Sequence, residues 1–442
     1  PPGALSSEEV HLELYAKKKE AGSWHDELLV MAKEQFRIFG SPNMKVPDFK
    51  NSISPSWHEK CSIETNIDEN GPTALLRTES LTVYFAAKSK AGTFGGLSSI
   101  ALKSGMTLLE SGPIPNLFRA ATDNDGVKLW SGQLESKPLG RWLLAGLDSV
   151  ELKNVVIGEG KMDIFGIKNC PVVATTGLIK SFPGKNYGPG AKLPVISALQ
   201  QKQGLSKEID IGVWESWVAP LPDGSLYIEN QLILTTTMLD LPRVGIELQF
   251  PKEYGQTYFF SDGPIENYRD RCYAAHAGAF QECVSDELDE YVMPQEQGNR
   301  MNLRWLFMSD EKKTNPDEGR LPQTASPCQE KSLEDLLRTK SGALIIPVGG
   351  SPEFTVSKYR DRDLFEACHT DELDSKDGAV YVRLDAAQRG LGTGSCGPQT
   401  REEYKVNPGT YQIAFILKPI NCSVAKEGNG FRVGLQDFLP YK

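Results

Sequence analysis

The sequence predicts an all-β protein. Between residues 127 and 260, short runs in which apolar and polar residues alternate recur between turn signals. The clearest runs are 150–156, 172–178, 195–199, 226–234 and 244–250. Strong turn sequences separate them, such as PGKNYGPG at 183–190 and PDGS at 222–225. Regular short strands of this kind are typical of antiparallel sandwiches and not of βαβ units.

Composition narrows the class of partner. The chain has 442 residues, a length sufficient for one large domain or two to three ordinary ones. Its net charge is −10 at pH 7. This acidic balance argues against nucleic acid and anionic membranes as partners. The sequence has no run of 18 apolar residues that would predict a membrane span, and no glycine motif that would predict a nucleotide cofactor.

The N-terminal 40 residues fit two patterns. Apolar residues alternate from 10 to 16, as in a strand, whereas those from 28 to 36 recur at helical spacing. Residues 41–75 are polar, with Pro, Ser, Asn and Gly, and predict a linker. The chain starts with PPGALSSEEV, without an initiator Met or the features of a signal peptide. We therefore expect it to be processed, incomplete or the tail of something longer.

Later elements follow the same logic. Alternating apolar residues over 81–85, followed by the GTFGGL turn, predict a hairpin. Trp214 and Trp217 are three positions apart on a predicted strand, so they are expected on opposite faces. One of them is expected in the core, and the other as core, a sugar platform or an interface anchor. A short helix is expected over 364–373.

One stretch, GPIPNLFRAATDNDG at 112–126, combines several features. Its prolines deny a helix, and Arg119 precedes an acidic turn formed by Asp123, Asn124 and Asp125. An arginine at this distance favours a bidentate clamp on a carboxylate. The stretch is either a loop pinned to its own sheet or a polar rim that faces a sugar.

These residues also resemble a known family. RAATDND at 119–125 is similar to the RAPTDND signature that opens the small-chain domain of glycoside hydrolase family 2 beta-galactosidases. Four further segments resemble later signatures of that domain, in the same order: SDGPIENYRDR (261–271), YVMPQEQGNRMNLRW (291–305), DLFEACHTDEL (363–373) and RGLGTGSCGPQTREEY (389–404).

The resemblance implies a galactose-mutarotase-like supersandwich over 76–420, preceded over 1–40 by the C-terminal part of an immunoglobulin-like β-sandwich. It favours strands at the N-terminus, because HLELYAKKKEAGSWHDELLVMAKEQFRI is similar to the last two strands of that sandwich. Half a sandwich leaves apolar faces and strand edges uncovered, so this part is expected to need a partner. Residues 421–442 extend past the family's usual end.

The reaction implied by the resemblance is retaining hydrolysis of terminal β-D-galactosides, which needs two carboxylates. In the family both are glutamates on a TIM barrel, and the acid follows an Asn. No Asn-Glu dipeptide occurs in this chain, so no catalytic residue is expected here. The implied partners are a TIM-barrel large chain or segment and a galactoside, in an oligomer. No cofactor is expected in this chain, and Mg and Na are implied on the barrel.

The resemblance places the loop around Gly394–Pro398 over the mouth of that barrel. Some members carry a Trp there that stacks on the sugar, where this chain has Cys396, and a thiol lacks the broad face of an indole. The alternative is a glycine-rich turn with a small buried thiol. The predicted substrate-binding residues are Ser395, Cys396, Arg119, Asp123 and Asn124.

Two other functions remain open. One is a carbohydrate-binding or structural subunit of a larger assembly without turnover. A less favoured one is an aldose 1-epimerase, which needs His276 or His369 beside a carboxylate in a concave pocket.

Eight cysteines without a CxxC pair predict reduced, mostly buried thiols. The chain has one glycosylation sequon, at 421–423, but such triplets are common by chance, so the compartment stays undecided, with the cytoplasm favoured.

Overall fold

The computed structural model describes residues 9–19, 30–40, 57–88, 95–128, 136–183, 208–284, 291–309, 326–327, 333–373 and 378–420. Within these ranges the chain is mostly antiparallel β-structure with a few short helices, which confirms the all-β class.

The strands are, in chain order, β1 (Val10–Lys17), β2 (Val30–Phe39), β3 (Ser62–Asp68), β4 (Gly71–Arg77), β5 (Leu81–Ala86), β6 (Gly96–Leu102), β7 (Thr107–Leu109), β8 (Ser111–Asn116), β9 (Val150–Ile164), β10 (Ile167–Ser181), β11 (Ile209–Pro220), β12 (Leu226–Leu234), β13 (Arg243–Phe250), β14 (Gln256–Gly263), β15 (His276–Cys283), β16 (Trp305–Ser309), β17 (Ser326–Pro327), β18 (Gly342–Val348), β19 (Glu353–Ser357), β20 (Val380–Gln388) and β21 (Thr410–Ile420). The α-helices are α1 (Pro138–Leu144), α2 (Leu333–Thr339) and α3 (Asp361–Glu366), and 3₁₀ turns cover Trp57–Lys60, Leu147–Ser149, Thr370–Glu372 and Glu402–Tyr404.

These strands form four sheets in the described ranges. The hairpin β1–β2 is a separate two-stranded sheet, and β3 to β7 form a five-stranded sheet in chain order. A four-stranded sheet has the order β19-β20-β13-β8. The largest sheet has ten strands in the order β17-β15-β14-β16-β18-β21-β12-β11-β10-β9. The register is antiparallel throughout, as between β12 and β21 at the centre of the largest sheet.

The ten-stranded sheet carries a hydrophobic core on each face. The larger core joins it to the four-stranded and five-stranded sheets, with Val83 of β5, Leu248 of β13 and Trp214 of β11 all buried. The second core includes Leu336 of α2, and Trp217 packs against it. The two tryptophans therefore face opposite sides as predicted, and both contribute to packing. This two-sided burial is what a supersandwich requires.

The predicted hairpin after residue 81 is confirmed. In β5 the residues Leu81, Val83 and Phe85 are buried while Tyr84 between them is exposed, and β5 pairs with β6 in antiparallel register. The first half of the GTFGGL turn lies outside the described residues, as do the predicted strand at 195–199 and the sequon at 421–423.

The N-terminal residues form strands, as the resemblance implied, because β1 and β2 pair from Val10↔Phe39 to Lys17↔Val30. The linker predicted over 41–75 needs correction in its described part. Residues 62–75 belong to β3 and β4, which pair from Ser62↔Arg77 to Asp68↔Gly71. β3 is largely exposed and is the outer strand of its sheet. Backbone hydrogen bonds to β4 hold β3 in place. Because neither of its faces is buried, its sequence shows no alternation of apolar and polar residues.

The helix predicted over 364–373 ends earlier than expected. α3 ends at Glu366, Ala367 is extended, and a separate 3₁₀ turn follows at Thr370–Glu372. The carbonyl oxygens of Leu364 and Phe365 in its last turn accept hydrogen bonds from the buried ammonium of Lys128, which is distant in sequence, and not from the amides of a further helical turn. Leu364 is buried.

Candidate functional site

A cleft of about 180 Å³ collects residues from four of the five motif segments. Segments 119–125, 261–271, 291–305 and 389–404 line it, whereas 363–373 does not. The polar residues that line it include Asp123, Asn124, Glu266, Arg271, Gln295, Glu296 and Ser395. The fold thus brings together three predicted site residues, of which Asn124 and Ser395 lie 271 positions apart.

Arg119 lies beneath this cleft. Its Nε and Nη2 donate to the two carboxylate oxygens of Asp125 at 3.0 and 2.7 Å, so the predicted bidentate clamp is present. The guanidinium also donates to the carbonyl oxygens of Arg389 and Gly390. Since Arg119 is fully buried and its donors are occupied, the predicted substrate contact is corrected. Arg119 fixes the acidic turn from below.

Asn124 holds the glycine-rich loop over the cleft. Its Nδ2 donates to the carbonyl oxygen of Gly392 at 3.1 Å, and its Oδ1 accepts from the amide and hydroxyl of Ser395 at 3.0 and 2.8 Å. Asp270 holds the same loop from the other side, since its carboxylate accepts the amides of Leu391 and Gly392 at 2.9 and 2.7 Å. The loop is therefore preorganised by side chains from two motif segments.

Cys396 lies beyond the lining residues. Its side chain is exposed, and its backbone amide donates to the carbonyl oxygen of Thr393 at 3.2 Å. The alternative of a buried thiol in this turn is wrong. The predicted sugar contact of Cys396 stays a prediction.

The opposite wall of the cleft comes from residues 291–300. Gln295 Oε1 accepts the backbone amide of Asp123 at 3.1 Å, which joins this wall to the acidic turn. Glu266 accepts the amide of Gly298 at 2.7 Å and the hydroxyl of Tyr291 at 3.4 Å. Neither Glu266 nor Gln295 is among the substrate-binding residues predicted from the sequence. These residues meet at the cleft only through contacts between segments that are distant in sequence, so no local sequence pattern predicts their position.

A buried layer of ion pairs lies under Glu296. Arg243 contacts Glu296 at 3.0 Å, Asp361 at 2.9 Å and Asp385 at 3.2 Å, and Arg383 shares Asp361 at 3.0 Å. Burial raises the pKa of Asp385 to about 8 and also raises the pKa of Glu296. Because the pairs are buried, losing one member costs much more than at an exposed site. The layer gives the cleft a rigid floor.

The epimerase hypothesis finds no matching geometry in the described residues. His369 Nδ1 lies 3.1 Å from Glu372 Oε1, but this pair is exposed, and neither His369 nor His276 lines the cleft. In the described ranges, no group of three His, Cys, Asp or Glu side chains is arranged to bind a metal. None of the helices there has the length and apolar character of a membrane span.

The described cysteines are all free thiols. Only Cys170 among them is buried, so the expectation of mostly buried thiols is wrong. Burial raises the pKa of Cys61 to about 11, which disfavours its reactive thiolate form.

Comparison with known proteins gives consistent matches. A beta-galactosidase from Vibrio vulnificus (strain YJ016) is 22% identical over 407 residues, which are 90% of this chain and 31% of that protein. A beta-galactosidase from Photobacterium profundum is 25% identical over 73% of this chain and 25% of its own length. The chain therefore spans about a third or less of these curated relatives.

Among solved structures, a putative aldose 1-epimerase from Klebsiella pneumoniae aligns with 95% of the chain and 94% of its own length. The identity is 10% and the TM-score 0.31, a value that does not establish a common fold. The family model described as "Beta galactosidase small chain" matches residues 88–417. The chain belongs to the beta-galactosidase small-chain family.

Proposed function

We propose that this chain is the non-catalytic C-terminal part or small subunit of a beta-galactosidase that hydrolyses terminal β-D-galactosides. The observation that carries the proposal is the convergence of four family motif segments on one polar cleft. The catalytic glutamates, together with any Mg or Na, would belong to a TIM barrel on another segment or chain. The cleft would shape the mouth of that barrel's active site.

The chemistry of the cleft suits this accessory role. Asp123 and Ser395 offer a carboxylate and a hydroxyl, groups that hydrogen-bond to sugar hydroxyls. Both backbones are held by neighbours, through Gln295 and Asn124 respectively. A preorganised lip of this kind contributes binding and orientation, whereas bond cleavage requires the carboxylate pair of the barrel.

The N-terminal hairpin supports the need for a larger partner. It is attached through polar contacts, with Glu9 paired to Arg304 at 2.6 Å and the Gln35 amide exchanging two hydrogen bonds with the backbone of Ala277. Its apolar residues are exposed, including Leu14 at 52% and Met31 at 61%. Exposed apolar strands fit the remainder of an immunoglobulin-like sandwich. The free thiols favour a reducing compartment such as the cytoplasm.

The test combines this chain with the barrel-bearing part of the enzyme and measures hydrolysis of a chromogenic β-galactoside. Asp123→Asn neutralises the cleft carboxylate with little change in shape, and Glu159→Gln makes the matched change at an exposed position on β9. We expect Asp123→Asn to raise KM about fivefold, as loss of one hydrogen bond would. Glu159→Gln should leave KM unchanged.

Two results would contradict the proposal. If the mixture is active and its KM does not change with Asp123→Asn, the cleft does not form part of the active-site mouth. A barrel-bearing partner that works equally well without this chain would favour a carbohydrate-binding or structural subunit instead.

A further inference from the structure

Lys128 lies three residues after the acidic turn, and its ammonium is buried, with the residue only 1% exposed. Nζ donates to the carbonyl oxygens of Pro294 at 2.9 Å, Leu364 at 2.8 Å and Phe365 at 3.2 Å, and also to that of Ala367. Three N–H groups are thus shared among four backbone carbonyls. The proposed function gives this group no role.

The four carbonyls belong to two separate parts of the chain. Leu364, Phe365 and Ala367 lie at the C-terminal end of α3, where helix carbonyls lack an intrahelical partner. Pro294 precedes Gln295 and Glu296, which line the cleft. A single ammonium therefore joins the acidic turn, the cleft wall and α3.

The charge of Lys128 is compensated unusually. Its described hydrogen bonds all go to backbone carbonyls, while Cys368, Glu372 and Asp123 act on it only through their electrostatic field. The Phe365 ring centroid lies 5.8 Å from Nζ and adds a cation–π contact. Burial lowers the pKa of Lys128 to about 8, so at neutral pH the ammonium with its three donors predominates.

We propose that Lys128 is a positioning residue of the cleft, whose ammonium acts as an internal cation and holds the wall of Gln295 and Glu296 against the acidic turn. The importance of the cleft rests on the proposed function, but the position of its wall can be measured without any turnover. Failure of the proposed function and failure of the positioning role of Lys128 can therefore be distinguished.

The geometry explains why an ammonium is suited to this site. Carbonyl oxygens that converge on one point can replace the hydration shell of a compact cation. A methionine has similar length but offers no donor, so four buried carbonyls would lose their partner. An arginine keeps the charge but presents a planar fork, which does not match four carbonyls around one nitrogen.

The experiment is hydrogen exchange on the full chain at pH 7. Two amides report on the wall, namely Asp123, which donates to Gln295 Oε1, and Glu296, which donates to the carbonyl oxygen of Ala120 at 2.9 Å. We expect Lys128→Met to speed exchange at both amides about tenfold or more, with the β9–β10 pair unchanged. Lys161→Met makes the same change at an exposed position and should alter neither amide.

Chemical rescue separates positioning from a general loss of stability. Lys128→Ala removes the atoms that n-propylammonium reproduces, so this amine should restore slow exchange at Asp123 and Glu296. Tetramethylammonium has no N–H donor and should restore nothing.

Three outcomes would overturn the proposal. The first is unchanged exchange at both amides in Lys128→Met, and the second is an equal acceleration of exchange across all strands. The third is a failure of both variants to fold that the amine does not relieve, since it would assign Lys128 to global stability alone.

Discussion

The clamp between Arg119 and Asp125 gives a quantitative test of how much a buried ion pair contributes to the stability of the fold. Both side chains are fully buried, and the guanidinium makes two charge-assisted hydrogen bonds to the carboxylate, at 3.0 and 2.7 Å. Removing one member of a buried pair costs about 3–5 kcal/mol. Asp125 would keep Arg389 at 3.2 Å and the amide and hydroxyl of Thr122. We therefore expect Arg119→Met to cost about 3 kcal/mol, at the low end of that range.

Arg141→Met is the matched control. Arg141 pairs with Asp240 at 2.8 Å, but its side chain is 45% exposed, so its loss should cost only about 0–1 kcal/mol. Asp240 also keeps its contact with Arg389 at 2.6 Å. Urea unfolding followed by tryptophan fluorescence gives the free energy of unfolding for both variants. If the two losses agree within about 1 kcal/mol, the uncertainty of such extrapolations, burial of the clamp does not govern its contribution.

Three further predictions concern the interior. The pKa of Asp385 is about 8 in the folded chain and 3.8 unfolded, so the stability from its bound proton is complete below 3.8 and is lost as pH rises to about 8. Asp385→Asn should therefore flatten the fall in Tm between about pH 5 and pH 8, and an unchanged slope would count against this assignment. A Cβ on Gly245 would lie 1.9 Å from Asp385 Oδ1, so Gly245→Ala should cost about 1–3 kcal/mol in urea unfolding. Gly158→Ala, with open space around it, should cost much less. Trp214→Ala should cost about 3–5 kcal/mol in the same assay, and more than Trp217→Ala, because only Trp214 is fully buried.

Much of the fold could be predicted because burial imposes period two on strands. The alternation over 81–85 identified β5, and the spacing of Trp214 and Trp217 identified their opposite faces. β3 was missed because an outer strand can be exposed along most of its length, so its sequence resembles a linker. α3 was predicted too long because its end depends on Lys128, more than 230 positions away.

The site was predictable only in part. An arginine near an acidic turn correctly indicated a clamp, but the sequence could not show that Arg119 is buried with all its contacts internal. Glu266 and Glu296 line the cleft because of neighbours that are distant in sequence, and Glu296 also depends on Arg243 beneath it. Such roles arise from tertiary packing and leave no local signal.

The central claim is that this chain works as part of a beta-galactosidase whose barrel lies elsewhere. The most direct test is the mass of the native protein with its co-purifying chains, followed by a chromogenic β-galactoside assay on the same sample. The account predicts a barrel-bearing chain, or a much heavier polypeptide, together with hydrolysis. A free chain of 442 residues, with no barrel and no hydrolysis, would contradict it.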